Sequence, residues 1–141
     1  MKPVSTRTFI LTSLLIGFLL NLTGWLGNNL LLGNLWQEVG ITLQKSAWRA
    51  SIWRDVFSFL PDFIYGFAIV WLIIQLNEHF KNRTMNALKA GWWISLVGGL
   101  TTYFAVANTG FIPWKLAFAS FALVLATKIP LALFASKLLD R

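Results

Sequence analysis

The chain has 141 residues, of which 57% are hydrophobic and 12% charged, with no cysteine and one histidine. Disulfides, thiolate metal sites and a cysteine nucleophile are therefore excluded, and one histidine cannot build a multi-histidine metal or haem cage. The formal net charge of +7 does not point to nucleic acid, because the basic residues flank apolar stretches instead of clustering on a polar surface.

No Asp, Glu, Lys or Arg occurs in residues 8–37, 63–77 or 90–114, and only Lys128 interrupts 116–136. A hydrocarbon core about 30 Å thick is crossed by about 20 apolar residues in a helix. These gaps predict an all-α integral membrane protein with a single transmembrane domain. Four transmembrane helices form a bundle, with a short amphipathic interfacial helix between spans one and two.

Span one is expected over 9–27. Lys2 and Arg7 before the apolar run that starts at Phe9 look like a signal peptide, but no small-x-small cleavage site follows, so the run reads as an uncleaved span. Gly27, Asn28 and Asn29 offer its stop. In 34–57, Trp48, Ile52 and Val56 recur at helical spacing among Arg49, Arg54 and Asp55. That pattern suits a helix lying in the interface, as a lid or as a plain connector. Span two follows over 60–77, with Pro61 tolerated in its first turn and Asp62 favoured by the helix dipole. Span three covers 90–108 and span four 113–136. The short turn Thr109–Ile112 makes these two antiparallel neighbours. Gly98, Gly99 and Thr102 on one, with Ala119, Ala122 and Ala126 on the other, should let the backbones approach closely.

Orientation follows from the basic residues. Lys2, Arg7, Lys81, Arg83, Lys89, Lys137 and Arg141 fall on one side, and Lys45, Arg49, Arg54 and Lys115 on the other. Both termini are thus expected in the cytoplasm, with the chain in a bacterial cytoplasmic membrane. Trp92 and Trp93 would anchor the inner interface, and Trp48, Trp53 and Trp114 the outer one.

Ionisable and polar groups inside spans are expensive and need a reason. Lys128, Glu78, Gln75 and Asn21 form the candidate polar site. Counted at 1.5 Å per residue, Lys128 and Gln75 lie about 22 Å deep, Glu78 about 27 Å and Asp62 about 3 Å. Depth therefore pairs Lys128 with Gln75 or Glu78 and separates it from Asp62. Alternatively, Lys128 snorkels to the cytoplasmic headgroups. Pro130 should bend the helix beside it. Asn21 is expected to bond a neighbouring helix. His79, at the inner end of span two, is a solvated residue or, less simply, a single axial ligand to a metal or pigment.

The second half carries Asp-x-x-x-Gly (Asp62, Gly66), Ala-Gly-x-Trp (Ala90, Gly91, Trp93) and Gly-x-x-Pro (Gly110, Pro113). In this arrangement, over roughly residues 62–136, the chain resembles a loose group of small four-span bacterial membrane proteins that has no established activity. The resemblance implies four spans and transfers no site residue.

No nucleophile–base pair, metal cluster or phosphate loop is legible, so no catalysis and no cofactor are expected. Aromatic residues make up 16% of the chain. With the small-residue helix faces, they suit a packing or accessory subunit of a larger membrane complex, or a homo-oligomer, in a lipid bilayer. A small oligomeric transporter or channel built on Lys128, Glu78 and Gln75 is the alternative. The third reading is a small membrane enzyme that uses Asp62, Tyr65 and Arg54 on a lipophilic substrate.

Overall fold

The computed structural model describes residues 4–43 and 52–140, with the backbone alone for 40–43 and 52–58. The described residues form helices and short turns, with no strand among them. In chain order the helices are α1 (Thr6–Leu30), α2 (Gly33–Leu43), α3 (Ile52–His79), α4 (Arg83–Ser95), α5 (Thr101–Asn108) and α6 (Trp114–Leu139). A π-helical turn, Leu96–Leu100, joins α4 to α5. Four stretches are long and apolar enough to cross a membrane: Thr6–Leu30, Phe59–His79, Arg83–Asn108 and Trp114–Leu139.

Local chemistry sets the helix starts earlier than the charge gaps suggest. The Ser5 hydroxyl accepts the Thr8 amide at 3.1 Å and starts α1. The Asn82 side chain accepts the Met85 amide at 3.0 Å, so α4 begins at Arg83, not near Ala90. An N-cap of this kind satisfies a backbone donor that the helix leaves unpaired. Lys89 thereby becomes a helical residue, and the turn between α3 and α4 shrinks to Phe80, Lys81 and Asn82. Of the expected interfacial helix over 34–57, residues 34–43 belong to α2 and 52–57 to the first turns of α3, and 44–51 lie outside the described residues. Pro61 consequently stands inside α3, not in its first turn. There it removes a backbone hydrogen bond to the preceding turn. Trp48 lies outside the described residues, as does the side chain of Trp53. α6 runs unbroken through Pro130.

α1 packs on α3 and α6, and α4 packs on the same two helices, so the four long segments close a ring. Small residues sit where the backbones meet. A Cβ on Gly66 would lie 2.6 Å from the Gly17 amide nitrogen and 2.6 Å from the Ser13 carbonyl oxygen, which marks the α1–α3 crossing. A Cβ on Gly91 would lie 2.9 Å from the Ile129 Cα, which marks the α4–α6 crossing. Around it Ala87, Ala90, Ala132 and Ala135 are fully buried. Close approach through small residues is the usual device where lipid removes the hydrophobic drive between helices. Of the small residues expected to do this, Gly99 meets Val124 and Phe121. Ala122 and Ala126 do not, because they face outward, and the contact on α6 moves to Ala132 and Ala135.

The end of the fold that holds the α3–α4 turn is tied by polar groups. The buried Asn86 amide donates to the Asn77 side-chain oxygen at 2.8 Å, to the Phe80 carbonyl at 2.9 Å and to the Leu76 carbonyl at 3.2 Å. These bonds pair the Asn77 side chain and the Phe80 carbonyl of the turn, and add a second donor to the Leu76 carbonyl, which already accepts the Phe80 amide at 2.8 Å. Arg83 pairs with Asp140 and joins the start of α4 to the end of α6. At the opposite end, Gly110 takes φ +80° in the turn before α6. Glycine adopts that left-handed backbone without a Cβ clash.

Candidate functional site

Beyond the π turn the ring of helices does not close tightly. α3 lies against α4 but makes no comparable contact with α5. Between them and α1 and α6 opens a cavity of about 860 Å³. α1 contributes Asn21, Trp25 and Asn29, and α3 contributes Phe59, Asp62 and Tyr65. Gly98 of the π turn, Thr102 and Tyr103 of α5, and Thr127 and Lys128 of α6 complete the polar and aromatic walls.

The floor and the rim differ in character. Leu20 and Lys128 are buried at the floor, Lys128 with only 4% of its surface exposed. Asp62, Tyr65 and Tyr103 are half-buried walls, while Trp25, Asn29, Phe59 and Thr102 form an exposed rim. The Lys128 ammonium stands 3.4 Å from the centre of the Tyr65 ring. A desolvated cation on an aromatic face gains about 2 kcal/mol. In a helix that spans a bilayer a central lysine costs roughly 3 kcal/mol, more than such a contact returns.

Neither the Lys128 ammonium nor the Asp62 carboxylate has a hydrogen-bond or ion-pair partner among the described residues. They are close enough for their charges to act on each other, yet they do not close into a pair within 4.0 Å. Asp62 and Tyr65 are three residues apart on α3, so both face the cavity from one side of the helix. Tyr65 can lie where it does because position 98 has no side chain: a Cβ there would come within 2.6 Å of the phenol oxygen. The π turn re-phases the helix, which carries Thr102 and Tyr103 round to the cavity. Such turns are frequent at functional sites.

The depth argument fails at Lys128. Gln75 is half-buried and Glu78 exposed, and neither lines the cavity that Lys128 enters, whereas Asp62 does. Two things contribute: α3 begins at Ile52, so a count from residue 60 places Asp62 too near the surface, and the side chain of Lys128 has a direction. Helical Cα–Cβ bonds tilt toward the helix N-terminus. α3 and α6 run the same way, so the lysine stem points back toward the start of both helices. It reaches the level of Tyr65 instead of continuing toward Gln75 and Glu78. The snorkelling alternative fails for the same reason, since the ammonium is inside the fold.

Asn21 does bond a neighbouring helix. Its amide donates to the Phe59 carbonyl at 3.2 Å, beside Pro61, and to the Gly17 carbonyl at 3.1 Å. It also lines the cavity. Asn28 receives the Trp36 indole N–H at 3.0 Å and so holds α2 against α1 at the cavity mouth. His79 is exposed at the end of α3, away from the cavity. Trp92, Trp93 and Trp114 are exposed on the outside of the ring, 46–57% accessible. Asp62 and Tyr65 stood out in the sequence as one polar cluster. Arg54, the third member, has its side chain outside the described residues.

Comparison with family models, with curated proteins and with solved structures gives no match. The functional reading therefore rests on the site itself.

Proposed function

We propose that this chain is a small integral membrane carrier or channel, with its four long helices spanning the bilayer and both termini in the cytoplasm. It binds a polar solute in the cavity between α1, α3, α5 and α6. The observation that carries the reading is the buried Lys128 ammonium, which shares a cavity of about 860 Å³ with the Asp62 carboxylate without pairing to it. Intramembrane ionisable groups mark substrate pathways by default, because a chain that only packs gains nothing from bearing their cost. The volume falls in the range of ligand sites. The irregular backbone at Leu96–Leu100 lies against the cavity, the setting in which membrane helices depart from regularity.

The exterior supports insertion. Leu11 and Phe18 on α1, Val97 in the π turn and Phe118 on α6 are each more than half exposed. In water this surface would aggregate or recruit a partner. In lipid it is the solvated face. The accessory-subunit reading is second, favoured by the aromatic cluster of Phe104, Trp114, Phe118 and Phe121 at one outer edge.

The test is flux from proteoliposomes loaded with a panel of labelled small solutes: amino acids, betaines, sugars and inorganic phosphate. The wild-type protein should release at least one class. Lys128→Met should abolish that release while still inserting and running at the same size. A protein that releases none of them, and leaves its own membrane only as part of a larger assembly, would establish the accessory reading instead.

A further inference from the structure

We propose that the ligand of this cavity is a zwitterion, one molecule with an ammonium-type cation and a carboxylate- or phosphate-type anion. The inference rests on the cavity being a ligand site, as proposed above.

The charges are arranged along one axis. Lys128 is buried at the floor and Asp62 is half-buried in the wall, so the positive group is the deeper. The ammonium has three N–H donors and rests on the Tyr65 ring at 3.4 Å, with no oxygen acceptor among the described residues. The carboxylate has acceptor capacity and no donor among the described residues. Each group lacks a partner of its own, and each faces the same space.

Charge balance then selects the ligand. Among the described lining residues these are the two charged side chains, opposite in sign, and they balance. A lone anion would satisfy Lys128 and meet repulsion from Asp62, and a lone cation would do the reverse. Either would leave one net charge in a poorly solvated site, where unpaired charge is costly. A zwitterion pairs both groups and keeps the site neutral. Its anionic end enters first, to Lys128, and its cationic end stops at Asp62. The surroundings of Asp62 suit an alkylated ammonium, since Tyr103 lines the same cavity and Trp25 and Phe59 its rim. Aromatic faces beside a carboxylate are how such cations are held.

A free solute and the headgroup of a zwitterionic phospholipid share this chemistry. The loose contact between α3 and α5 gives a lipid headgroup a side entrance, and the rim gives a free solute an end entrance.

Binding is measured on the full chain purified in a maltoside detergent, whose headgroup carries no charge, by the shift in melting temperature with ligand. The probes are glycine betaine and glycerophosphocholine, choline alone, inorganic phosphate alone, and phosphatidylcholine added as mixed micelles. A zwitterionic probe should bind at least tenfold more tightly than choline or phosphate. Lys128→Met should lower zwitterion affinity at least tenfold and raise that of choline. Asp62→Asn should lower zwitterion affinity similarly and raise that of phosphate. These opposite gains separate a charge effect from a misfolded variant, which loses everything. Binding of the free probes assigns a soluble solute, and binding of phosphatidylcholine alone assigns a lipid headgroup. Both outcomes support the class. Half-probes that bind as tightly as zwitterions, or variants that leave zwitterion affinity unchanged, would overturn it. If uncharged solutes are released in the flux assay and no zwitterion binds, this inference falls and the carrier reading stands. If nothing is released and nothing binds, the carrier reading falls first.

Discussion

Replacing Gly66 by alanine should strain the α1–α3 crossing, and the structure sets the size of the effect. The added Cβ would sit 2.6 Å from both the Gly17 amide nitrogen and the Ser13 carbonyl oxygen. Ordinary contact begins at 3.4 Å, so the helices must part by about 0.8 Å. The obstructing atoms are backbone, and no side-chain rotation relieves them. A gap of that size forfeits about a quarter to a half of each dispersion contact along the crossing. Overpacking of this kind costs about 1–3 kcal/mol. Alanine is also the better helix former, by about 1 kcal/mol over glycine. Gly24→Ala is the matched control, because its Cβ would meet nothing within 4 Å. The propensity gain is common to both variants and cancels in their difference. That difference is therefore the overpacking cost itself, about 1–3 kcal/mol in favour of Gly24→Ala. For a chain of this size it is a separation of roughly 3–10 °C in melting temperature. Thermal unfolding in maltoside micelles, followed by tryptophan fluorescence, reads it directly. Equal melting temperatures for the two variants would refute the crossing at Gly17 and Gly66.

Gly98→Ala should leave stability within about 1 kcal/mol, because the added methyl meets the movable end of Tyr65. It should nevertheless weaken ligand binding at least tenfold, since the ring that carries the Lys128 ammonium must swing away. Unchanged binding in the same melt assay would separate Tyr65 from the site. Asn86→Ala deletes the donor that serves Asn77, Leu76 and Phe80. It should destabilise by about 1–3 kcal/mol through the buried Asn77 oxygen left unpaired, and a melting temperature equal to wild type would show the turn to be held otherwise. Asp140→Asn removes only a half-exposed ion pair with Arg83. Less than about 1 kcal/mol is expected, and a larger loss in denaturant unfolding would mean that the α4–α6 end depends on that pair.

Much of the architecture is legible one residue at a time. Charge is so costly in hydrocarbon that its gaps outline four long apolar helices, and all four are present, with earlier starts where Ser5 and Asn82 supply caps. The resemblance motifs also find structural reasons. Gly66 is the α1–α3 crossing, Gly91 the α4–α6 crossing, and Gly110 the left-handed turn residue. Asn21 was readable as an interhelical amide, since a polar group there has few other partners. What the sequence could not determine is which side chains meet. Counting residues gives the depth of a Cα, and by that measure Lys128 belongs with Gln75 and Glu78. The direction of a side chain, the extra residue of the π turn and the standing-off of α3 from α5 decide otherwise. They depend on how helices are phased and tilted against one another, and no single segment encodes that. The shared cavity of Lys128, Tyr65 and Asp62 is therefore a property of the tertiary structure alone, although Lys128 stands out in the sequence as an ionisable group inside a span, and Asp62 and Tyr65 as neighbours in a polar cluster.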